Sequence, residues 1–443
     1  LRPELVASAG MKHAVLTALL SIFIICSCSY GQEPEQIDTT DTRNIGPNEA
    51  RGTVEPVKRH IALHQYLWKI VEYPTKAVVR VASWPLMGLG YMSNKDSTVG
   101  DFTEIFYKDN RKGYLFPTLS VQSDRCIAAA LQYNHLSLLP FRTGLNLKLY
   151  YGGRTEREFR VRFSNDSFLH RAVRFSLSAH DLRRPDRYLY GVGMQSRAYD
   201  RTRYTQRDRI VLGKWDVSPY GDWAIDVTAS YRYTDATEDK RIRDGCCDSE
   251  ERWGFGAGVM YDDRAFGEFS PYGWKVAGSV ARVFSSRKID SDYWKYGGSI
   301  QKHFNVYRRT RTFYLSARAD GVRRIDDKAV PFWDLPILGG EDYLRGFPAD
   351  RFRDKVALVF TAQYSYPIFQ RLNGSFFVDL GSAAPAWESF ELRDFRTGYG
   401  WQLESHLDDN FIFRLQLAHS REGLQVYVAT ATSIDFLEKK AVR

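Results

Sequence analysis

From Gly113 onward the chain alternates apolar and polar residues with a period of two. Leu145, Leu147 and Leu149 alternate with Asn146 and Lys148, and Phe159, Val161 and Phe163 with Arg160, Arg162 and Ser164. Val173, Phe175, Leu177 and Ala179 alternate with Arg174, Ser176, Ser178 and His180. The run from Val356 through Phe360 to Tyr366 and the run Phe411, Phe413, Leu415, Leu417 repeat the pattern. Residues two apart on a strand share a face, so each segment has one apolar and one polar face. The pattern predicts sixteen strands, near 113–122, 125–136, 142–153, 156–164, 170–181, 203–216, 222–234, 251–262, 272–284, 291–305, 309–321, 353–367, 373–381, 394–405, 410–419 and 423–434. Most have the length, about ten residues, that a tilted membrane-spanning strand needs. Connections after even-numbered strands are mostly short, as at 306–308 and 406–409; several after odd-numbered strands are long, at 182–202, 235–250, 322–352 and 382–393. Short turns at one end and long loops at the other mark an outer-membrane barrel, and an even count returns both chain ends to one side. An open sheet edge in lipid would leave backbone groups unpaired, so such a sheet must close. The expected fold class is all-β: a sixteen-stranded antiparallel transmembrane β-barrel over 113–436 with a short helical N-terminal segment, and a tail at 437–443.

Before Gly113 the pattern differs. Residues 11–31 read MKHAVLTALLSIFIICSCSYG: a basic start, an apolar core from Leu16 to Ile25, and small residues before Gln32. That is a signal peptide, with residues 1–10 an over-called start. Lipidation at Cys28 is the alternative to cleavage near Gln32. Residues 32–60 are polar and lack an apolar period, as a flexible leader would. In 61–112, Leu63, Leu67, Ile70 and Val71 fall on one helical face, and Pro74 ends that helix or starts the next. A stripe of that kind needs a surface: a barrel rim, a lumen or lipid head groups.

Composition narrows the class. Aromatics make up 14% of the 443 residues, which suits interfacial girdles, and disorder is excluded. The net charge of +9 is spread along the chain, so it argues for anionic lipid rather than nucleic acid as partner. Cys126 stands alone; Cys246-Cys247 are adjacent and read as two loop thiols with no assigned role, with a vicinal disulfide or a metal-reactive loop as alternatives; no Cys/His spacing suggests zinc, and no cofactor is expected. His180-Asp181 lies near Ser176, but no nucleophile motif accompanies the three, so the sequence is not read as an enzyme.

The longest loop reads PFWDLPILGGEDYLRGFPADRFRD, residues 331–354. Gly339-Gly340 followed by Leu344-Arg345-Gly346-Phe347 resembles the sixth extracellular loop of the BamA/TamA family, the bacterial surface antigen barrels. Phe377, Asp379 and Gly381 in FFVDLG resemble that family's strand-13 motif. Tyr190-Gly191-Val192-Gly193, Tyr261-Asp262-Asp263-Arg264 and Tyr272-Gly273 add weaker matches. The resemblance implies a loop folded into the lumen with Arg345 held by Asp379. Gln363 and Ser365 stand where the family usually has Glu and Arg, so Gln363 is the further acceptor. A carboxylate can take two hydrogen bonds from a guanidinium, and Gly346 allows the turn that presents Arg345. In a partly wet lumen such a pair is expected to contribute about 1–3 kcal/mol.

The resemblance further implies assembly, insertion or translocation of proteins at the bacterial outer membrane, with outer-membrane lipids and other outer-membrane or periplasmic assembly proteins as partners. The seam between the first and last strands would be the weak point, and Pro117 removes one ladder donor from the first strand. The family's periplasmic POTRA modules are not recognisable, so a short member is expected. That keeps a second reading open: a non-catalytic accessory or scaffold subunit of a larger outer-membrane complex.

Overall fold

The computed structural model describes residues 107–430, apart from the connections 109–112, 123–125, 140–142, 153–155, 169–172, 200, 219–220, 239–248, 265–269, 271, 287–291, 308–309, 326–329, 370–371 and 408–409. The signal, leader and helical readings before residue 107 lie outside the described residues, as do Cys246 and Cys247. Within 61–112, Tyr107–Lys108 is extended and pairs with the start of the first long strand.

Sixteen long strands follow: β1 Gly113–Gln122, β2 Cys126–Leu139, β3 Thr143–Gly152, β4 Glu156–Phe168, β5 Val173–Leu189, β6 Thr202–Val217, β7 Trp223–Glu238, β8 Ser249–Asp262, β9 Gly273–Ser285, β10 Asp292–Tyr307, β11 Arg311–Arg324, β12 Val356–Phe369, β13 Leu372–Ala384, β14 Arg396–Leu407, β15 Asn410–Ser420 and β16 Gly423–Thr430. Each pairs antiparallel with the next. The last also pairs with the first, through Tyr427↔Gln122, Val428↔Val121 and Ala429↔Ser120. Among the described residues, which end at Thr430, that ladder has three pairs. Among the described residues no helix is long and apolar enough to cross a membrane.

The sheet is inverted relative to a water-soluble one. Its buried face is polar: Gln206 and Asp208 on β6, Glu250 and Arg252 on β8, and Gln402 and Glu404 on β14 are all buried. Its exposed face is apolar: Val211, Trp215, Val227, Phe255, Val280 and Val378 are each more than two-fifths exposed. A chain that hides its polar side chains and shows its apolar ones has hydrocarbon outside it.

Several strands outrun the alternation that predicts them. β5 continues to Leu189 rather than stopping near 181, crossing a register shift between Arg184 and Arg187, where Pro185 sits. β7 reaches Glu238 and β13 reaches Ala384. In β5 the extension reads Leu182-Arg183-Arg184-Pro185-Asp186-Arg187, where both faces turn polar. Apolar periodicity marks only the lipid-facing stretch of a strand, so it ends before the strand does.

Candidate functional site

Residues 330–355 leave β11, cross the buried face and return to β12. Pro331 opens a short 3-10 turn, Phe332–Asp334, and Ile337–Leu338 then pairs with Phe352–Arg353 to make the base of a hairpin. Gly340 N–H donates to the Phe347 carbonyl at 3.0 Å, which closes the tip. Gly346 has φ +92°, a left-handed conformation that turns the chain just after Arg345. Leu338, Leu344, Phe347 and Phe352 are fully buried, packed with Met194, Ala357, Val359 and Ala383. The apolar side chains of the loop therefore form a small core of their own inside a polar surround.

The tip places Arg345 between β12 and β13. Arg345 Nε donates to Asp379 Oδ2 and Nη2 to Oδ1, both at 2.7 Å, a bidentate arrangement. The Arg345 backbone N–H donates to Asp379 Oδ2 at 3.2 Å, and Thr361 Oγ1 donates to Oδ1 at 2.9 Å. Arg345 Nη1 donates to Gln363 Oε1 at 3.4 Å. The guanidinium lies 3.5 Å from the centre of the Phe377 ring, and Leu344 packs over Gly381. Side-chain exposure is 9% for Arg345 and 1% for Asp379, so the pair is drier than a wet lumen would make it. Arg345, Asp379, Gln363, Phe377 and Gly381 thus come together, while Ser365 accepts from Gln363 Nε2 at 3.4 Å and bonds Ser375 at 2.9 Å.

Further anchors escape the sequence pattern. Asp334, buried, accepts from Tyr293 and pairs with Arg252 on β8, with Lys295 on β10 at 2.8 Å and with Arg232 on β7 at 3.5 Å. Asp350 takes Arg187 of β5 through Nε at 2.8 Å and Nη2 at 2.6 Å. Arg351 reaches Glu422, in the turn before β16, at 2.8 Å and the Ser196 carbonyl at 2.8 Å. Ser420 Oγ donates to the Gly346 carbonyl at 2.6 Å, and the Tyr427 hydroxyl of β16 donates to the Phe347 carbonyl at 3.2 Å. A Cβ on Gly398 of β14 would run into the Arg345 carbonyl, so only glycine lets the tip lie that close. The loop is thereby tied to β5, β7, β8, β10, β12, β13, β15 and β16. One signal for Asp334 does exist in the sequence: it is the lone charge in the apolar stretch FWDLPIL. Nothing in the alternation marks Tyr427.

The weaker motifs also find places. Tyr190 is buried with Arg351 over its ring, and Gly193 N–H donates to the Arg353 carbonyl at 2.8 Å. Arg264 pairs with Asp262 at 2.7 Å, and Asp263 accepts from the Trp274 N–H, so YDDR and the following YG segment build one turn. Burial pushes the Tyr343 hydroxyl and the Asp354 carboxyl above their ordinary ranges. His180 meets Ser178 while Asp181 meets Arg207, so the two neighbours face opposite ways and make no relay. Pro117 stands opposite Leu131 of β2, three residues from the stretch of β1 that meets β16.

No curated protein matches the chain. Among solved structures, BamA from Haemophilus ducreyi lacking POTRA domains 1-3 is 12% identical, with a TM-score of 0.59, over 73% of this chain and 71% of that one. CdiB from Acinetobacter baumannii is 10% identical, with a TM-score of 0.47, over 72% of this chain and 59% of that one. CdiB from Escherichia coli is 12% identical, with a TM-score of 0.47, over 71% and 62%. The first of these speaks to the fold alone. The profile of the Omp85 superfamily domain matches residues 141–418, more than half of the chain. With that match on a sixteen-stranded antiparallel sheet that shows its apolar side chains outward, the chain belongs to the Omp85 superfamily and is an outer-membrane β-barrel protein of bacteria.

Proposed function

We propose that the sheet closes into a transmembrane barrel that inserts or translocates proteins at the outer membrane, with the 331–354 loop latched in its lumen and the β16–β1 seam as the place where clients engage. The observation that carries this reading is that the last strand joins the first at Tyr427, the residue whose hydroxyl also meets the loop tip. Unpaired backbone groups in hydrocarbon are costly, so a junction between the two end strands opens only where strands of another chain take the place of its ladder. Support for the latch comes from Arg345, whose bidentate pairing with Asp379 lies on the same loop tip that Tyr427 of β16 contacts. The loop is thus placed to hold the strand that forms one side of the seam.

Reconstitution tests this directly. Vesicles carrying the protein should yield more protease-protected outer-membrane client than empty vesicles, and Arg345→Ala should lower that yield several-fold without unfolding the barrel. No gain over empty vesicles would contradict the insertion reading and leave the scaffold role as its replacement.

A further inference from the structure

The connection between β13 and β14, residues 385–395, reads PAWESFELRDF and is not part of the loop just described. It makes two short 3-10 turns, Trp387–Ser389 and Leu392–Asp394. It does not stand up from the sheet. Trp387 Nε1 donates to the Tyr296 hydroxyl of β10 at 3.0 Å, with the two rings stacked. Phe390 packs against Trp387 and Phe395, and Phe395 meets Phe360 of β12.

Register tells which side of the sheet this is. Lys295, next to Tyr296, points at Asp334 of the lumen loop, and Thr361, next to Phe360, bonds Asp379. Neighbours on a strand face opposite ways, so Tyr296 and Phe360 face away from the lumen. Tyr296 stands opposite Gly321, Gly321 opposite Val356, and Val356 opposite Ala384, all on that same face. Lower on that wall Val378 and Leu380 are 44% and 36% exposed, yet Val356 and Ala384 at its external end are 2% and 3% exposed. The loop therefore folds down over the outside of β10–β13 and covers the wall there.

Having covered apolar surface, the segment shows apolar surface again. Trp387 is 46% exposed and Leu392 51% exposed, values like those of the lipid-facing wall below. Beside them Arg393 and Glu391 form an exposed ion pair at 2.5 Å. An indole with its apolar body outward, flanked by charges and continuous with a hydrocarbon-facing wall, matches the boundary between acyl chains and head groups.

We propose that residues 385–395 are an interfacial anchor that beds Trp387 and Leu392 in the acyl-chain–headgroup boundary of the outer leaflet, beside β10–β13. The proposal rests on the membrane-spanning reading of the sheet, and the experiment separates the two. The full chain is reconstituted in phosphatidylcholine vesicles brominated at the 6,7 or the 11,12 acyl carbons. Trp387 emission is taken as wild type minus Trp387→Phe, with heat-modifiable migration confirming a folded barrel. It should fall by half or more with the 6,7-dibromo lipid, fall less with the 11,12-dibromo lipid, and resist aqueous iodide. Leu392→Trp in the otherwise unchanged chain, read as gained emission, should behave alike and does not depend on the Trp387 variant folding. Quenching by iodide without quenching by either lipid would place the segment in water and overturn the proposal. Resistance to all three would mean a protein covers it and would overturn it equally. Trp215, on the apolar face of β6, is the control: if its Trp215→Phe difference emission is also untouched by both lipids, the membrane-spanning reading itself fails.

Discussion

Arg345 and Asp379 govern how the 331–354 loop is held to β13 because both are buried and neither can fall back on water. Removing the guanidinium leaves a fully buried carboxylate with Thr361 and one backbone N–H as remaining donors. Loss of one partner from a buried pair typically costs about 3–5 kcal/mol, above the wet-lumen figure, and here the cost falls on the loop rather than on sixteen strand ladders. Arg345→Ala should therefore give a folded barrel whose 331–354 segment is cut by external protease at least ten times faster than in the wild type. Arg345→Lys should not restore protection, because an ammonium cannot make the two parallel bonds to Asp379. An unchanged cleavage rate in Arg345→Ala would show that the pair does not hold the loop. Gly398→Ala tests the same attachment without touching a charge. The added methyl meets the Arg345 carbonyl, and overpacking of that kind costs about 1–3 kcal/mol. Cleavage should rise as in Arg345→Ala, whereas full protection would mean that the tip does not need its close approach to β14.

At the level of elements, the lumen loop is braced at both ends. Arg345 ties its tip to β13, and Asp334 ties its root to β8 and β10. Asp334 is the shared acceptor of Arg252, Lys295 and Arg232, so Asp334→Asn leaves three cations around a neutral amide, with Glu250 left near the buried Arg252. We expect a lower thermal midpoint in Asp334→Asn than in Gln363→Ala, whose 3.4 Å bond is one of several to Arg345. Equal midpoints in a heat-modifiability titration would count against the brace. The tip's pairing was legible because GG with LRGF in one loop and FFVDLG in the strand after it resemble the BamA/TamA motifs, in which the loop arginine and the strand aspartate are partners. The root's pairing was not, because Asp334 meets partners on three strands 39 to 102 residues earlier in the chain, and periodicity carries no information about distant partners. The same limit hid the fold-back of residues 385–395, which reads as an ordinary polar-aromatic loop. Strand number and order were legible throughout, since lipid and lumen enforce opposite polarity at every second residue. Strand ends above the membrane were not, since both faces are polar there.

For the whole molecule, the described sheet runs from neighbour to neighbour in sequence until it meets itself. Fifteen junctions join neighbours in sequence, while among the described residues β16 and β1 share three pairs, and Tyr427 in that ladder also donates to the 331–354 loop. Tyr427→Phe removes one hydrogen bond of about 0.5–1.5 kcal/mol. It should speed amide exchange in β16 several-fold while leaving β6–β8 unchanged; equal acceleration everywhere would mean a global loss of stability and no link between loop and seam. The most direct test of the account is a lock across that seam. Val121→Cys with Val428→Cys, in a background with Cys26, Cys28, Cys126, Cys246 and Cys247 changed to Ser, joins two residues that stand opposite one another. With the disulfide formed, client insertion in reconstituted vesicles should drop to the level of empty vesicles and return on reduction, while the cysteine-free background stays active in both states. Insertion that proceeds equally well through the oxidised lock would contradict a function that depends on opening the seam.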